Sequence, residues 1–159
     1  MKIGFIGTGH ITKSVINGIL GSKLKIKKIL ISKRSNKIST ALKKKSKKIA
    51  ILNDNQEIIN KSNWVFLAVT PEVGHKILPK LKFKKNQTII SFISTIKMRD
   101  LKNYVKVNSK IVRAIPLPPI SIRKGPVPIF PPNKKVKQFF DYLGTTVEIN
   151  KENLSLNFW

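Results

Sequence analysis

The sequence predicts an α/β fold in which helices cover both faces of a doubly wound, mostly parallel sheet of about six to eight strands. Three observations predict this fold. Short apolar runs alternate with amphipathic stretches along the chain, as in repeated strand–helix units. The run Trp64–Val69 contains no polar residue, as expected of a central parallel strand covered on both faces. The glycine-containing turn Gly7–Gly9 joins the first apolar run to the first helical pattern.

Six apolar runs are predicted to be strands, because each is short and is bounded by polar or turn-forming residues. In chain order they are residues 3–6, 28–32, 49–52, 64–69, 88–92 and 146–149. The third run has the least strand-like composition of the six, and the fourth has the most strand-like composition.

Helices are predicted where apolar residues recur every three or four positions. They cover residues 11–20, about 39–48, a short stretch after 54, 71–78, 98–104 and 134–143. Gly21 and Gly144 are expected to end the first and the last of them. Asp54 and Glu57, which are three residues apart, resemble a capping box at the N-terminus of a short helix. Thr70–Glu72 offers an N-cap, then a proline at the first helical position and an acid that meets the helix dipole.

The segment 116–132 differs in composition from the rest of the chain, because it holds seven of the nine prolines. Proline fixes φ and cannot donate a hydrogen bond to a strand ladder. We therefore predict an ordered loop that crosses an edge of the sheet, in which Val127–Phe130 has the composition of a strand.

The charge of the chain is strongly positive, with 32 Lys and Arg residues against 7 Asp and Glu and a formal net charge of +25. Such an excess is compatible with nucleic-acid binding, because lysines bind phosphates non-specifically by releasing counterions. The lysines are spread along the chain instead of clustering with aromatic residues on one element. A solvated surface in a protein of biased composition is therefore the favoured interpretation, and a basic nucleic-acid-associated protein is the less favoured alternative.

Composition also bears on the class of protein. No apolar run approaches the roughly 18 residues that span a bilayer, and the opening strand is too short and too glycine-broken for a signal peptide. The chain has no cysteine, which is compatible with a reducing cytoplasm, where we expect the protein. The acids and the two histidines, His10 and His75, show no metal-ligand spacing, so no metal site is expected. Such a scarcity of catalytic groups suits hydride transfer, in which the cofactor carries the chemistry.

The turn Gly7–Thr8–Gly9–His10–Ile11–Thr12 follows a strand and opens a helix, as a Rossmann-type dinucleotide loop does. The first glycine allows the tight turn and the second lets a pyrophosphate approach the backbone. The helix N-terminus supplies free N–H groups and the positive end of its dipole. Thr12 stands where a third Gly or Ala is usual, which leaves open how closely this helix packs on the sheet.

The end of the second predicted strand bears on the choice of cofactor. An NAD enzyme places an acid there, which binds the ribose 2′-hydroxyl. Here the residues are Ser32, Lys33, Arg34 and Ser35. A guanidinium group with flanking hydroxyls suits a 2′-phosphate through charge-assisted hydrogen bonds. NADP(H) is therefore predicted in preference to NAD(H).

Four motifs occur in the order and spacing of pyrroline-5-carboxylate reductase: Ile3–Gly9, Asn53–Glu57, Phe66–Pro71 and Arg113–Pro116. The chain resembles the N-terminal NADP-binding domain of that family. Several of the motifs also occur in the wider group that includes F420-dependent NADP oxidoreductases and β-hydroxyacid dehydrogenases. The resemblance implies hydride transfer from NADPH to the C=N carbon of a cyclic imine carboxylate, which gives proline.

The resemblance also implies roles for particular residues. Residues Ile6–Ile11 would hold the pyrophosphate, Ser32 and Arg34 would meet the adenosine phosphate, and Asn55 would approach the adenosine side. The nicotinamide half would be lined by Ala68, Val69, Thr70, Pro71, Phe92, Ile93 and Ser94.

Three positions depart from the family pattern. Thr70 stands where the family has lysine, Leu117–Pro119 stands where it has Asn-Thr-Pro, and Ile93–Thr95 replaces a small Ala-Ala-Gly-like turn. The nicotinamide pocket is therefore expected to be altered.

We expect residues 1–150 to form the NADP-binding domain and residues 151–159 to begin a linker or helix toward a second domain. The family's second domain is helical, builds the dimer and supplies much of the substrate site, and we expect it to lie outside these residues. Phe158 and Trp159 either open that helix or dock back on this domain. Three interpretations of function stay open: an NADP-dependent reductase of this type that forms a homo-oligomer, a stand-alone NADP(H)-binding module without turnover, and, as the least favoured, a basic nucleic-acid-associated protein.

Overall fold

A computed structural model describes residues 1–154, and strands alternate there with helices from Lys2 onwards. The strands are β1 (Lys2–Ile6), β2 (Lys28–Ser32), β3 (Ile49–Leu52), β4 (Trp64–Leu67), β5 (Thr88–Ser91), β6 (Lys110–Ala114), β7 (Pro126–Phe130) and β8 (Thr145–Glu148). The helices are α1 (His10–Leu20), α2 (Asn36–Lys45), α3 (Asn55–Lys61), α4 (Pro71–Ile77), α5 (Met98–Val105) and α6 (Lys134–Asp141). Two 3₁₀ helices cover Leu78–Lys80 and Pro118–Ile122.

All eight strands join in one sheet in the order β3-β2-β1-β4-β5-β6-β7-β8. β1 to β6 run parallel, β7 is antiparallel to β6, and β8 is parallel to β7. The predicted doubly wound, mostly parallel sheet is therefore confirmed. The strand order reverses between β1 and β4, and a crevice at such a reversal is where open α/β sheets bind ligands.

Two apolar cores lie on opposite faces of the sheet because side chains alternate along each strand. On β1 and β4, Phe5 and Phe66 stack at 4.6 Å in one core, which also contains residues of α1, α2 and α6. Val65 and Leu67 face the other core, which contains residues of α3 and α5. The helices therefore cover both faces, as the pattern predicted.

The local signals for helix ends are mostly confirmed. Asp54, Thr70 and Asn133 each accept a backbone N–H in the first turn of the helix that follows. Gly21 follows α1 as its C-cap. Gly144 does not end α6, which already stops at Asp141. A Cβ on Gly144 would lie 2.5 Å from the Gly125 carbonyl oxygen, so this glycine serves a close approach of two chain segments.

The bounds of α2, β4 and β5 also differ from the prediction. α2 covers residues 36–45, so it starts three residues before the predicted start and ends before Lys47 and Lys48, which were predicted to extend it. β4 ends at Leu67 and β5 at Ser91, although the Ala68 and Phe92 N–H groups still donate to carbonyls of the neighbouring strands.

The proline-rich segment was expected to cross an edge of the sheet, and that expectation is wrong. β7 lies between β6 and β8. The Pro128 carbonyl accepts a 3.0 Å hydrogen bond from the Ile115 N–H, so the position that lacks an N–H faces β6. β6 and β7 share only two residue pairs, so little of the ladder needs that donor.

Residues 151–154 follow β8 on the way out of the sheet. The rest of the predicted linker, with Phe158 and Trp159, lies outside the described residues. Within residues 1–154, no helix combines the length and the apolar character needed to cross a membrane.

Candidate dinucleotide-binding site

The turn between β1 and α1 has the geometry that only glycine allows at its first position. Gly7 has φ +99°, and a Cβ there would lie 2.4 Å from the Ala68 carbonyl oxygen at the end of β4. Gly9 is the N-cap of α1, and a Cβ there would meet nothing within 4 Å. No side chain caps α1. The first N–H groups of α1 therefore face a space that a ligand can fill.

Thr12, which stands where a third Gly or Ala is usual, packs closely between α1 and the sheet. Its side chain is fully buried, and its hydroxyl donates a 2.7 Å hydrogen bond to the Gly7 carbonyl. The threonine therefore fits between helix and sheet and braces the turn from within. Its side chain does not face a ligand.

Thr8 and Ser32 connect the turn to the end of β2. The Thr8 hydroxyl donates a 2.7 Å hydrogen bond to the Ser32 carbonyl, and the two hydroxyl oxygens lie 2.9 Å apart. Because the Thr8 proton is used by the carbonyl, the Ser32 hydroxyl donates to Thr8. The resemblance gave Ser32 to the adenosine phosphate, but its proton is committed inside the protein. A 2′-phosphate would therefore depend on the next two residues.

A cavity of about 450 Å³ lies at the carboxyl ends of β2 and β3, and we call it the β2-side cavity. Lys33 and Arg34 are exposed at its rim, and none of the described residues that line it is an acid. Asn53 adds an amide group from the loop after β3, and Asn55 adds one from the first residue of α3. Its complete lining is Gly7, Ser32, Lys33, Arg34, Asn53, Asn55, Val69, Val73 and Ile77.

A second cavity, of about 710 Å³, lies on the other side of the turn, and we call it the proline-loop cavity. One wall is a face of α1 and the other is Phe92 with the loop after β6. That second wall is apolar except for Ser121. The complete lining is His10, Ile11, Lys13, Ser14, Asn17, Phe92, Ile115, Pro116, Leu117, Pro118 and Ser121.

The predicted site residues divide between these places. Six line the β2-side cavity, namely Gly7, Ser32, Lys33, Arg34, Asn55 and Val69. Three line the proline-loop cavity, namely His10, Ile11 and Phe92. Gly9 lies between them as the N-cap of α1. Val69 thus lies with Arg34, and not with Phe92 as the resemblance implied.

The remaining predicted residues support the site or lie away from it. Ile6 and Ile93 are core residues. The Ala68 backbone packs against Gly7. Ser35 and Thr70 precede α2 and α4 as N-caps, and Pro71 is the first residue of α4. Ser94 lines neither cavity.

Sequence reasoning missed several lining residues that carry a readable signal. Asn53 directly follows β3, and so it meets the same rule that identified Ser32 after β2. Val73 and Ile77 are four residues apart on α4, which puts them on one helix face. Lys13, Ser14 and Asn17 share a face of α1 with His10 in the same way. The loop residues 115–118 carried no such periodic signal.

Ser94 belongs to a third cavity, of about 350 Å³, beside a buried arginine. Arg113 is 3% exposed and donates to the Ser94 carbonyl. Its guanidinium lies 3.3 Å from the Glu152 carboxylate, which also accepts a 2.7 Å hydrogen bond from the Met98 N–H. The carboxylate therefore meets the N-terminus of α5, where a negative charge is favoured. These contacts tie the segment after β8 to the ends of β5 and β6.

Comparison with known proteins identifies the group to which this arrangement belongs. A family described as "NADP oxidoreductase coenzyme F420-dependent" matches residues 2–95, which run from β1 past the end of β5. The chain belongs to this family. The match includes the glycine turn and the end of β2, and it stops before the proline-rich segment.

The curated proteins that this chain resembles include pyrroline-5-carboxylate reductases. Pyrroline-5-carboxylate reductase 3 of Danio rerio is 28% identical over 79% of this chain and 44% of its own length. Pyrroline-5-carboxylate reductase 2 of Bacillus subtilis is 27% identical over 78% of this chain and 45% of its own length. The resemblance deduced from the motifs is confirmed. The chain spans about half the length of the curated relatives that it matches.

Solved structures agree on the fold. A pyrroline-5-carboxylate reductase from Coxiella burnetii superposes with a TM-score of 0.83 at 22% identity, over 96% of this chain and 60% of that one. The Plasmodium falciparum pyrroline carboxylate reductase, solved with NADP bound, has a TM-score of 0.78 at 22% identity, over 96% and 58% of the two chains.

Proposed function

We propose that this chain binds NADP(H) as the cofactor-binding domain of a reductase of the pyrroline-5-carboxylate type. One observation carries the proposal: the uncapped N-terminus of α1, opened by Gly7 and Gly9, lies between two cavities. A dinucleotide has two halves joined by a pyrophosphate. The turn would hold the pyrophosphate, and each cavity would take one half.

The charges at the β2-side cavity support NADP(H) over NAD(H). Lys33 and Arg34 stand where an NAD enzyme presents an acid, and the described lining of this cavity contains none. Guanidinium and ammonium groups bind a phosphate strongly at such a rim. The family description names NADP, together with coenzyme F420, and the naming of NADP agrees with this choice.

The proline-loop cavity suits the nicotinamide half and a small imine substrate. Phe92, Ile115 and Pro116 form an apolar wall that would exclude water from the reacting carbon. When bound, NADPH supplies a hydride to the C=N carbon of a cyclic imine carboxylate. The residues of this chain orient the two partners, and His10 lies at the rim, within the first turn of α1.

The curated relatives extend well beyond the matched region, so we assign the substrate step to an assembly that includes the family's helical second domain. That domain would form a homo-oligomer and complete the substrate site. We place the protein in the cytoplasm, which the lack of cysteine suits.

Calorimetric titration with NADPH and NADH tests the proposal. NADPH is expected to bind at least about tenfold more tightly, because hydrogen bonds to charged groups contribute about 1.5–3 kcal/mol. Oxidation of NADPH in the presence of pyrroline-5-carboxylate, measured on a protein that includes the helical second domain, then tests the reaction. NADPH binding without turnover in that protein would favour an NADP(H)-binding module. No heat and no melting shift with either dinucleotide would contradict the proposal.

A further inference from the structure

Lysines mark the amino edge of the sheet, which is opposite to the two cavities. β1, β2 and β6 each begin with a lysine, and lysines stand shortly before β3, β4 and β5. All of them are exposed. The set is Lys2, Lys28, Lys48, Lys61, Lys84, Lys85 and Lys110, and we call it the lysine edge.

The strand register places three of these lysines side by side. Lys2 on β1 is the register partner of Lys28 on β2. The Ile29 N–H donates a 2.9 Å hydrogen bond to the Lys48 carbonyl, which puts Lys48 beside Lys28. Neighbouring strands are about 4.8 Å apart, so these side chains leave the sheet as a continuous row of positive charge.

A cavity of about 340 Å³ lies at the same edge of the sheet, at the amino ends of β4, β5 and β6. Four lysines line it, and no acid does: they are Lys84, Lys85, Lys110 and Lys135. Lys84 is held there by a 2.8 Å hydrogen bond from its ammonium group to the Asn60 carbonyl. Trp64 is half-buried in the wall, where Phe139 supports it at a ring distance of 5.2 Å. Asn63 and Asn86 add amide groups.

The acids of the chain lie elsewhere. Four occupy the N-cap or first turn of α3, α4 and α5, helices that begin at the carboxyl edge: Asp54, Glu57, Glu72 and Asp100. Asp141, Glu148 and Glu152 lie near β8 and the carboxyl end of β6. Within residues 1–154, Lys61 is the one member of the lysine edge that forms an ion pair, with Glu57.

We propose that the lysine edge binds a single-stranded nucleic acid, a function beyond the cofactor site. The row of lysines would neutralise successive phosphates, and the Trp64 cavity would take a base against an aromatic wall that amide groups flank. A concave cavity with amides fits a base better than it fits a flat bilayer. The lysines come from positions between 2 and 135, so only folding assembles them.

Fluorescence anisotropy with labelled 20-nucleotide oligo(U) and oligo(dT) tests this proposal across a potassium chloride series. The triple variant K28Q/K48Q/K110Q should bind at least about tenfold more weakly, and its log–log salt slope should fall by about two. The matched variant K37Q/K97Q/K124Q removes the same charge at the opposite end of the domain. Its affinity should change less than about threefold, since exposed charges farther from the oligonucleotide than a Debye length of roughly 8–10 Å are largely screened by salt.

Two further measurements distinguish binding at the lysine edge from binding at the cofactor site. Saturating NADPH should leave oligonucleotide binding unchanged, because the two sites lie at opposite edges of the sheet. In a W159F background the remaining tryptophan is Trp64, and its emission should be quenched by the oligonucleotide. An unchanged melting temperature of the first triple variant shows that it is folded.

Four results would overturn the proposal: no binding, equal losses in both triple variants, displacement by NADPH, or tighter binding to phosphatidylserine vesicles than to either oligonucleotide. The NADPH titration could fail without affecting the oligonucleotide experiment, since neither triple variant changes a residue of the proposed cofactor site.

Discussion

The hydroxyl of Thr8 donates a 2.7 Å hydrogen bond to the carbonyl of Ser32, which lies 24 residues further along the chain. Both residues are buried, with 3% and 7% of their surface exposed. The bond fastens the glycine turn to the end of β2. It thereby sets the distance between the proposed pyrophosphate and 2′-phosphate contacts, neither of which uses these side chains directly.

Thr8→Val should therefore weaken both stability and NADPH binding. The substitution keeps the shape but leaves the Ser32 carbonyl and hydroxyl buried with a missing partner, which costs about 1–3 kcal/mol. Urea denaturation measures the loss. Ser32→Ala is the control, because it keeps the bond from Thr8 to the carbonyl and should cost less. A Thr8→Val protein as stable as the wild type would contradict the role assigned to this bond.

Gly7→Ala and Gly9→Ala should separate folding from binding. Alanine at Gly7 combines φ +99° with a contact of 2.4 Å to the Ala68 carbonyl, so we expect a loss of at least about 2 kcal/mol of stability. Alanine at Gly9 meets no atom within 4 Å and has an ordinary φ of −104°. It should leave the melting temperature nearly unchanged and lower NADPH affinity. Equal melting temperatures for the two variants would contradict this assignment.

Arg34→Ala should reduce the affinity for NADPH by about tenfold or more and leave that for NADH nearly unchanged, because only NADPH carries the 2′-phosphate. The residue is exposed, so the effect should shrink at high salt. Isothermal titration of both cofactors measures it. Lys37→Ala, in the first turn of the adjacent helix α2, is the matched control. Equal losses for the two cofactors would remove the 2′-phosphate assignment.

Glu152→Gln should loosen the segment that follows β8. The change removes the ion pair with the buried Arg113 guanidinium, and losing one partner of such a pair is costly, up to about 3–5 kcal/mol when it is fully buried. Glu152 is partly exposed, so we expect about 1–2 kcal/mol. Faster proteolysis after residue 150 and a lower melting temperature would report it. Glu148→Gln, on an exposed side chain, should change neither.

Asp141 should contribute a small acid-dependent share of stability. Partial burial raises the pKa of its carboxyl, but hydrogen bonds from Lys137 and Thr146 lower it by more, so the pKa lies below the ordinary value of 3.8. A carboxyl with a depressed pKa stabilises the fold above its unfolded pKa and loses that contribution as the pH falls through its folded pKa. The stability difference between wild type and Asp141→Asn should thus be present above about pH 4 and vanish below it. A difference that grows on acidification would contradict the assignment.

Much of the local structure could be predicted from the sequence. The caps Asp54, Thr70 and Asn133 act on N–H groups two or three residues away, so a short window contains all that they need. The strand-turn-helix of Gly7–Gly9 is equally local. Ends of elements were less predictable: α6 stops at Asp141, and Gly144 instead allows a close approach to Gly125 from elsewhere in the fold.

The site was predicted in part. Lys33 and Arg34 followed from the rule that ligands bind beyond the carboxyl ends of strands. The position of Val69 beside Arg34, and the hydrogen bond that occupies the Ser32 hydroxyl, did not follow. Both depend on how far apart neighbouring strands end and on which partner a hydroxyl meets, and these distances exist only after the strands have paired.

By itself, the sequence determined the α/β alternation, the phosphate-type turn and the absence of an acid after β2, since each is a property of neighbouring residues. Tertiary structure alone decided that β7 is an interior strand and that scattered lysines form one edge. The physical reason is that parallel strands bring their first residues to the same side of a sheet. Residues as distant as Lys2 and Lys28 thereby become neighbours at the spacing of one hydrogen-bonded ladder.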